Sequence, residues 1–301
     1  MLALLEALAG EAYAFTTVTP ETHARNVRRK AQASGLRDVF GWSLPFADGA
    51  IPARFIDLLG RAGALERCDG DFFRSKVRVS RAGEELFLHS AYPTDDANSV
   101  FFGPDTYRYA ALLRAEIPRL GQVHRIVDIG AGSGAGGIVA AKLVPAARLT
   151  LGDVNPSALR FAAINAAFAG VEAELVESSG LTRVEGAFDL VIANPPYIMD
   201  EEERAYRDGG GMHGAQLSFE WAIEAARRLQ PGGHMILYTG VSILEGRDEL
   251  RAALERDLPD LGCSLRYREI EPDIFGEELD EPQYRCVERI AAIGAVIAKA
   301  Q

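Results

Sequence analysis

The sequence predicts an α/β protein, with a mostly parallel sheet covered by helices on both faces over residues 96–301 and a smaller α+β domain over residues 1–95. Three observations carry this. From Gln122 onward, short apolar runs alternate with helical runs, the pattern of βαβ units. A turn-rich stretch from Ala91 to Asn98, containing Pro93, Thr94, Asp95 and Asp96, separates this region from what precedes it. Charge divides at the same place. Residues 1–95 carry 12 Lys+Arg against 12 Asp+Glu and residues 96–301 carry 20 against 31, so the net charge of −11 belongs wholly to the second part.

In the first domain, MLALLEALAGEA reads as an amphipathic helix. It lacks a basic leader, and Glu6 interrupts its apolar run, which argues against a signal peptide. Arg25, Arg28, Arg29 and Lys30 form a basic cluster on a following helix. Ile51, Phe55, Leu58, Leu59, Ala62 and Leu65 recur at helical spacing, with Pro52 in the first turn. DFFRSKVRVS then alternates, setting Arg74, Lys76 and Arg78 on one face and Phe73, Val77 and Val79 on the other. Helix followed by basic ribbon suggests a winged-helix-like arrangement. The basic face is either an RNA contact or a solvated strand in a substrate-docking domain.

The second domain opens with an apolar strand, Ile126–Ile129, that runs into glycines at 130, 132, 134, 136 and 137 and then an Ala/Val helix over 137–143. Such glycines let the backbone turn sharply and approach a ligand at a helix N-terminus. Gly132, Gly134 and Gly137 have dinucleotide-fingerprint spacing, so a nicotinamide or flavin cofactor is one reading. Asp128 opposes it: an acid two residues before the first glycine repels a pyrophosphate and suits the ammonium of S-adenosyl-L-methionine. The next strand ends at Asp153, where a carboxylate grips ribose hydroxyls. Asn155 is placed to cap a helix that Pro156 opens, running to about Ala169 before Gly170. The strand AELVES leads to Ser178, Ser179 and Gly180, and a further helix is expected over 217–230.

The fourth strand, FDLVIA, feeds directly into Asn194, Pro195, Pro196 and Tyr197. Two prolines in succession cannot donate to a ladder, so the strand ends in a stiff tetrapeptide. Asn194 Oδ1 and the Pro195 carbonyl can accept the two hydrogens of a planar NH2 group while Tyr197 packs against it. Asp128, Asp153, Ser179 and Asn194 all fall at the carboxyl ends of strands, where open α/β sheets bind ligands.

DIGAGSG (128–134), GDVNPSAL (152–159), FDLVIANPPYI (188–198) and LQPGGHMIL (229–237) together resemble the class I S-adenosylmethionine-dependent methyltransferases of the NPPY branch. That branch includes release-factor glutamine methyltransferases and methyltransferases of exocyclic amines on adenine or guanine. The resemblance covers residues 98–301 and implies a Rossmann-like seven-stranded sheet. It implies cofactor contacts at Asp128, Gly130, Gly132, Gly134, Asp153, Asn155, Ser179 and Asn194, with Asn194, Pro195 and Tyr197 receiving the substrate nitrogen. The branch often has an acid after the third strand for the adenine amine; Ser178 and Ser179 stand there instead. VFFGPDTYRYAALL (100–113) is similar to a segment of the release-factor branch, which implies a helix capped by Asp105 or Thr106 with Tyr107 towards the cofactor, or a plain linker helix. YRDGGGMHGAQLSFE (206–220) also looks like that branch, with glycines for a mobile loop and His213 as a candidate base.

Composition bounds the remainder. Hydrophobic residues make up 48% and charged residues 25%, and no run has the apolar length of a membrane span. Cys68, Cys263 and Cys286 lack metal-ligand spacing and read as buried thiols in a reducing cytoplasm, with no metal expected. The acidic second domain disfavours nonspecific nucleic-acid binding through that domain. The acidic segment 269–285 either receives a basic peptide, excludes phosphates or is a solvated hairpin. The expectation is an enzyme methylating a planar nitrogen of a macromolecule, protein favoured and RNA or DNA the alternative. An NAD-dependent oxidoreductase and a nucleic-acid-binding module are the rivals.

Overall fold

The computed structural model describes residues 1–94, 96–200 and 206–301; Asp95, in the expected inter-domain turn, lies outside the described residues. In the first domain, α1 (Leu2–Gly10) buries Leu4, Leu5 and Leu8. Thr19 caps α2 (Pro20–Val27), its side chain accepting from the Thr22 amide at 3.3 Å. Then come α3 (Leu36–Phe40), β1 (Phe46–Ala47), α4 (Ala53–Arg61), β2 (Leu65–Arg67), β3 (Phe72–Ser75), β4 (Val77–Ala82) and β5 (Glu85–Ser90). Strands β1, β3 and β2 form one antiparallel sheet in that order, and β4 and β5 pair as a separate hairpin.

The expected single ribbon from Asp71 to Ser80 is therefore two strands in different sheets. The break falls at Lys76, whose amide donates to the Ala64 carbonyl at 2.8 Å, while Ser75 Oγ donates to the Val77 carbonyl at 2.7 Å. Lys76 is exposed and Arg74 half-buried, but Arg78 is only 4% exposed. The three side chains do not form one solvated basic face. The alternation was real, but β4 is buried on both faces.

The second domain runs α5 (Pro104–Glu116), β6 (Arg125–Ile129), α6 (Ala135–Leu143), β7 (Arg148–Asp153), α7 (Pro156–Phe168), β8 (Ala173–Glu177), β9 (Phe188–Ala193), α8 (Gln216–Arg228), β10 (Leu229–Leu244), β11 (Arg247–Asp248), α9 (Glu249–Asp257), β12 (Cys263–Glu271) and β13 (Arg289–Lys299). The sheet order is β12-β13-β10-β9-β6-β7-β8, with the short β11 paired to β10. Neighbours from β10 through β8 are parallel, and β13 is antiparallel to both β10 and β12. Side chains alternate across the sheet as the pleat requires. Ile126, Leu190, Ile192 and Ile236 enter one core with α5 and α6, and Val127, Val191, Ala193 and Leu237 enter the other with α8 and α9. Strand order reverses between β6 and β9, which opens a crevice at their carboxyl ends. Among the described residues no helix is long and apolar enough to cross a membrane. Of the three cysteines only Cys263 is buried; Cys286 is exposed, against the expectation of three buried thiols.

The domains are joined through α7. Phe161, Ile164 and Phe168 pack against the apolar core of the first domain. Asn165, fully buried, accepts from the Leu88 amide at 2.8 Å and donates to the carbonyls of Leu88 and Ser133 at 3.0 and 2.8 Å. One carboxamide thus ties the β4–β5 hairpin to the glycine loop. Replacing it by alanine strands three buried backbone groups, so Asn165→Ala is expected to lower unfolding free energy by about 3 kcal/mol in urea titration. A loss below about 0.5 kcal/mol, the scale of a neutral surface change, would contradict this role.

Candidate active site

A cavity of about 350 Å³ occupies the crevice between β6 and β9, within the usual size range for small-molecule sites. Its floor is acidic. Asp128, 2% exposed on β6, accepts from the Gly137 amide at 2.7 Å, with the Tyr109 hydroxyl at 3.5 Å. Burial pushes its carboxyl up to about 7, with the nearby Asp153 adding to the rise and the Gly137 amide opposing it. Asp153 accepts from the Gly132 amide at 2.8 Å and the Asn155 amide at 2.9 Å, and burial raises its pKa too. Among the described residues neither acid, the buried Asp128 nor the half-buried Asp153, has a cationic partner; the pair favours a positively charged ligand, and each keeps lone pairs for further donors.

The glycine loop is shaped by what surrounds it. Gly130 has φ +67°, and a Cβ there would lie 2.7 Å from the Trp221 ring. Gly130 and Gly132 line the cavity; Gly134, which begins α6, lies outside the lining and packs on Ala162. Asn155 lines the cavity, but its side chain is committed. Oδ1 caps α7 through the Ser157 amide at 2.9 Å, and Nδ2 donates to the Asn98 carbonyl at 2.9 Å. Ser178 is buried and bonded to Arg183 N and Gly180 O, whereas the exposed Ser179 lines the cavity with its hydroxyl uncommitted among the described residues.

At the opposite wall β9 ends and the proline turn begins. Asn194, Pro195, Pro196 and Tyr197 all line the cavity. Among the described residues, neither the Asn194 carboxamide nor the Pro195 carbonyl has a hydrogen-bond partner. Tyr197, by contrast, is held on every side. Its hydroxyl donates to Asp105 Oδ2, while Asp105 Oδ1 accepts from the Tyr238 hydroxyl at 2.6 Å and from Arg108 at 3.1 Å. Its ring lies over Gly240, where a Cβ would come within 2.3 Å, and stands edge-on to Phe275. Its backbone is packed so closely that a Cβ at Gly209 or Gly214 would lie 2.6 or 2.1 Å from Tyr197 atoms. The amide of Gly209 also donates to the Ile198 carbonyl at 2.9 Å. Of the glycines expected to make a mobile loop, Gly209 and Gly214 pack closely against the proline turn, whereas Gly210 and Gly211 do not.

Of the two residues expected at the start of α5, Thr106 accepts from the Gly103 amide, through Oγ1 at 3.2 Å; other residues diverge from expectation. Tyr107 turns to the first domain, accepting from the Thr17 amide at 2.9 Å, and Tyr109 takes the cavity position expected of it. His213 lies outside the cavity lining, with Nδ1 3.0 Å from Glu249. Trp221, Leu217, Phe275 and Val154, 49% exposed, also line the cavity and went unnoticed in the sequence. Val154 had a local signal, an apolar residue directly after Asp153; Trp221 and Phe275 had none.

An open, mostly parallel α/β sheet with two acids and a glycine loop at its switch point defines the Rossmann-like class of fold. The chain belongs to the methyltransferase small domain family, whose model matches residues 105–257. It is 31% identical over 192 residues to the release factor glutamine methyltransferase of Deinococcus radiodurans, covering 62% of this chain and 66% of that protein. It is 38% identical over 73 residues to the ribosomal RNA small subunit methyltransferase C of Serratia proteamaculans, covering 24% of this chain and 21% of that one. The chain thus spans less than two thirds of either relative. Among solved structures, wild-type Trm5b from Pyrococcus abyssi shares the fold, with TM-score 0.50 at 15% identity over 78% of this chain and 62% of that one.

The raised Asp128 pKa has a measurable consequence. The unfolded carboxyl, at about 3.8, loses its proton before the folded one, at about 7, so its contribution to stability falls as pH rises through that window. The loss is on the order of 4 kcal/mol at about 1.4 kcal/mol per pKa unit. Asp128→Asn removes it, so unfolding free energies of wild type and variant should diverge from pH 4 to 7 in favour of the variant. Parallel curves would contradict the assignment.

Proposed function

We propose that this chain transfers a methyl group from S-adenosylmethionine to a planar NH2 nitrogen, with a glutamine-type side-chain amide of a protein as the favoured acceptor. The observation that carries this reading is the pair of uncommitted acceptors, Asn194 Oδ1 and the Pro195 carbonyl, at the edge of an acid-floored cavity. The residues present suit the cofactor. Asp128 with Gly130 and Gly132 would hold its ammonium and methionine part, Asp153 its ribose hydroxyls, and Val154 and Trp221 offer apolar surface for a purine. Ser179 has a free hydroxyl for the adenine amine. When bound, S-adenosylmethionine supplies an electrophilic methyl group.

An amide nitrogen is a poor nucleophile because its lone pair is delocalised into the carbonyl. The chain's contribution is to hold both hydrogens, one on Asn194 Oδ1 and one on the Pro195 carbonyl, which fixes the orientation of the group and aims its lone pair at the methyl carbon; the N–C bond would form as the S–C bond breaks, and one of the held hydrogens would then leave as a proton to solvent. The same oxygens stabilise positive charge as it develops on nitrogen, and their fixed position means no reorganisation at the moment of reaction. Tyr197 contributes its ring as a wall, because its hydroxyl is committed to Asp105.

The alternative acceptor, an exocyclic amine of adenine or guanine, offers the same NH2 geometry. The exposed Arg28 and Arg29, directly after α2, favour it, as does similarity to the ribosomal RNA relative. The acidic second domain and the longer match to a glutamine methyltransferase favour protein. Incubation with labelled methyl donor and separated protein and RNA fractions of a cell extract distinguishes the two; label only in RNA refutes the favoured acceptor, and label in neither refutes the activity.

Asn194→Ala is expected to lower turnover by ~100-fold, about 3 kcal/mol of transition-state stabilisation, with cofactor affinity little changed. Unchanged turnover would refute its role. Asp105→Ala frees two buried tyrosine hydroxyls and is expected to lower kcat by ~10-fold while the cofactor KM moves by less than about 2-fold. Asp105→Asn, which still accepts from Tyr197, should restore part of the rate. If Asn is no better than Ala, Asp105 does not act through Tyr197.

A further inference from the structure

A second, smaller cleft lies in the first domain at its seam with the second. Its floor is polar and buried: Thr17, His23, Arg78 and His89 are each at most 4% exposed, while half-buried Tyr92 stands at its edge. Arg78 is the anomaly. Its Nε donates to the Gly41 carbonyl at 2.9 Å, one terminal nitrogen reaches Thr17 Oγ1 at 3.4 Å, and the Phe15 ring lies 5.7 Å from its centre. Among the described residues no carboxylate pairs with it. Burial pulls its pKa down to about 10, and the neighbouring groups that act on it are the hydroxyls of Tyr13, Tyr107 and Tyr92. His23 lines the same cleft. Its Nε2 faces the Trp42 carbonyl at 3.0 Å, and its Nδ1 is buried without a partner. A buried guanidinium whose partners are all neutral oxygens is costly to a fold unless an anion meets it.

We propose that this cleft binds a carboxylate, supplied by an acidic side chain of the acceptor protein. The guanidinium's terminal N–H groups match the two oxygens of a carboxylate, and the cleft volume of about 20 Å³, against roughly 10–15 Å³ for one water, admits only a small group. The cleft also adjoins the proposed transfer site. Phe101 lines both spaces, and Tyr206, at the cavity, donates to the carbonyl of Thr94, at the cleft, at 2.5 Å. An acceptor with its amide on the Asn194 rim would then carry an acidic residue a short distance away. This assignment rests on the protein-acceptor reading of the active site.

The test uses the full chain, with sodium acetate as the probe and sodium chloride at equal ionic strength as the control. At about 100 mM, acetate is expected to raise the unfolding midpoint by about 2–4 °C in wild type and not in Arg78→Met. In case that variant does not fold, wild-type NMR supplies the same answer. Of the five histidines, the ring signals of His23 and His89 should move with acetate, and those of His124, His213 and His234 should not. No movement, or an equal response to inorganic phosphate, overturns the carboxylate site. Acetate should also reduce labelling of the protein fraction; binding without reduced labelling overturns the assignment to the acceptor. Absence of labelling in every fraction would instead count against the proposed activity, since acetate binding is read on the chain alone.

Discussion

Everything the cavity can do to an incoming nitrogen depends on the turn after β9 staying where it is. Two prolines stiffen it from within, but its position is set from outside, by a tyrosine locked at both ends. The hydroxyl of Tyr197 is sunk in the Asp105 carboxylate, which Tyr238 and Arg108 also engage, and its ring and backbone rest on three glycines from two other segments. A misplacement of about 1 Å in a reacting group can cost ~100-fold in rate. The packing at Gly209, Gly214 and Gly240 therefore matters to chemistry as well as to stability. Asp105 stands in the first turn of α5, so the helix whose Tyr109 lines the cavity beside Asp128 also anchors the proline turn at the opposite wall.

Electrostatics divide the molecule in a complementary way. The second domain sets two carboxylates in its cavity, the buried Asp128 and the half-buried Asp153, with no cation beside them among the described residues. The first domain buries a guanidinium, Arg78, with no anion beside it among the described residues. Each arrangement is unfavourable in the protein alone and is relieved by a ligand of opposite charge. The first suits an ammonium, the second a carboxylate. The two spaces share the wall made by Phe101.

Much of this was legible in the sequence where chemistry is local. The glycine loop, the acid ending β7, the Asn155 cap and the proline turn each declare a backbone conformation within a few residues, and the structure brings all four regions to one crevice. Contacts between distant segments were not legible. Tyr238 reaches Asp105 across a separation of 133 residues, and nothing near either residue announces the pairing. Trp221 sits on α8 at a spacing that reads equally well as core. The alternation of DFFRSKVRVS reads as one strand with a period of two, but the chain breaks at Lys76 into two strands of different sheets, and a two-residue period cannot tell which faces are solvated. The turn at Lys76 sends Arg78 inward. Tyr107 and Tyr109 illustrate the same limit on a helix: both are aromatic, two positions apart, and only the packing of α5 decides which one meets the cavity.

The measurement that bears most directly on the account is a crystal structure of the chain with S-adenosylmethionine bound. The account predicts the ammonium against Asp128 and the glycine loop, the ribose on Asp153, and the methyl carbon facing Asn194 Oδ1 and the Pro195 carbonyl. An adenosyl group bound outside this crevice, or a carboxamide of Asn194 turned away from the methyl carbon, would contradict it.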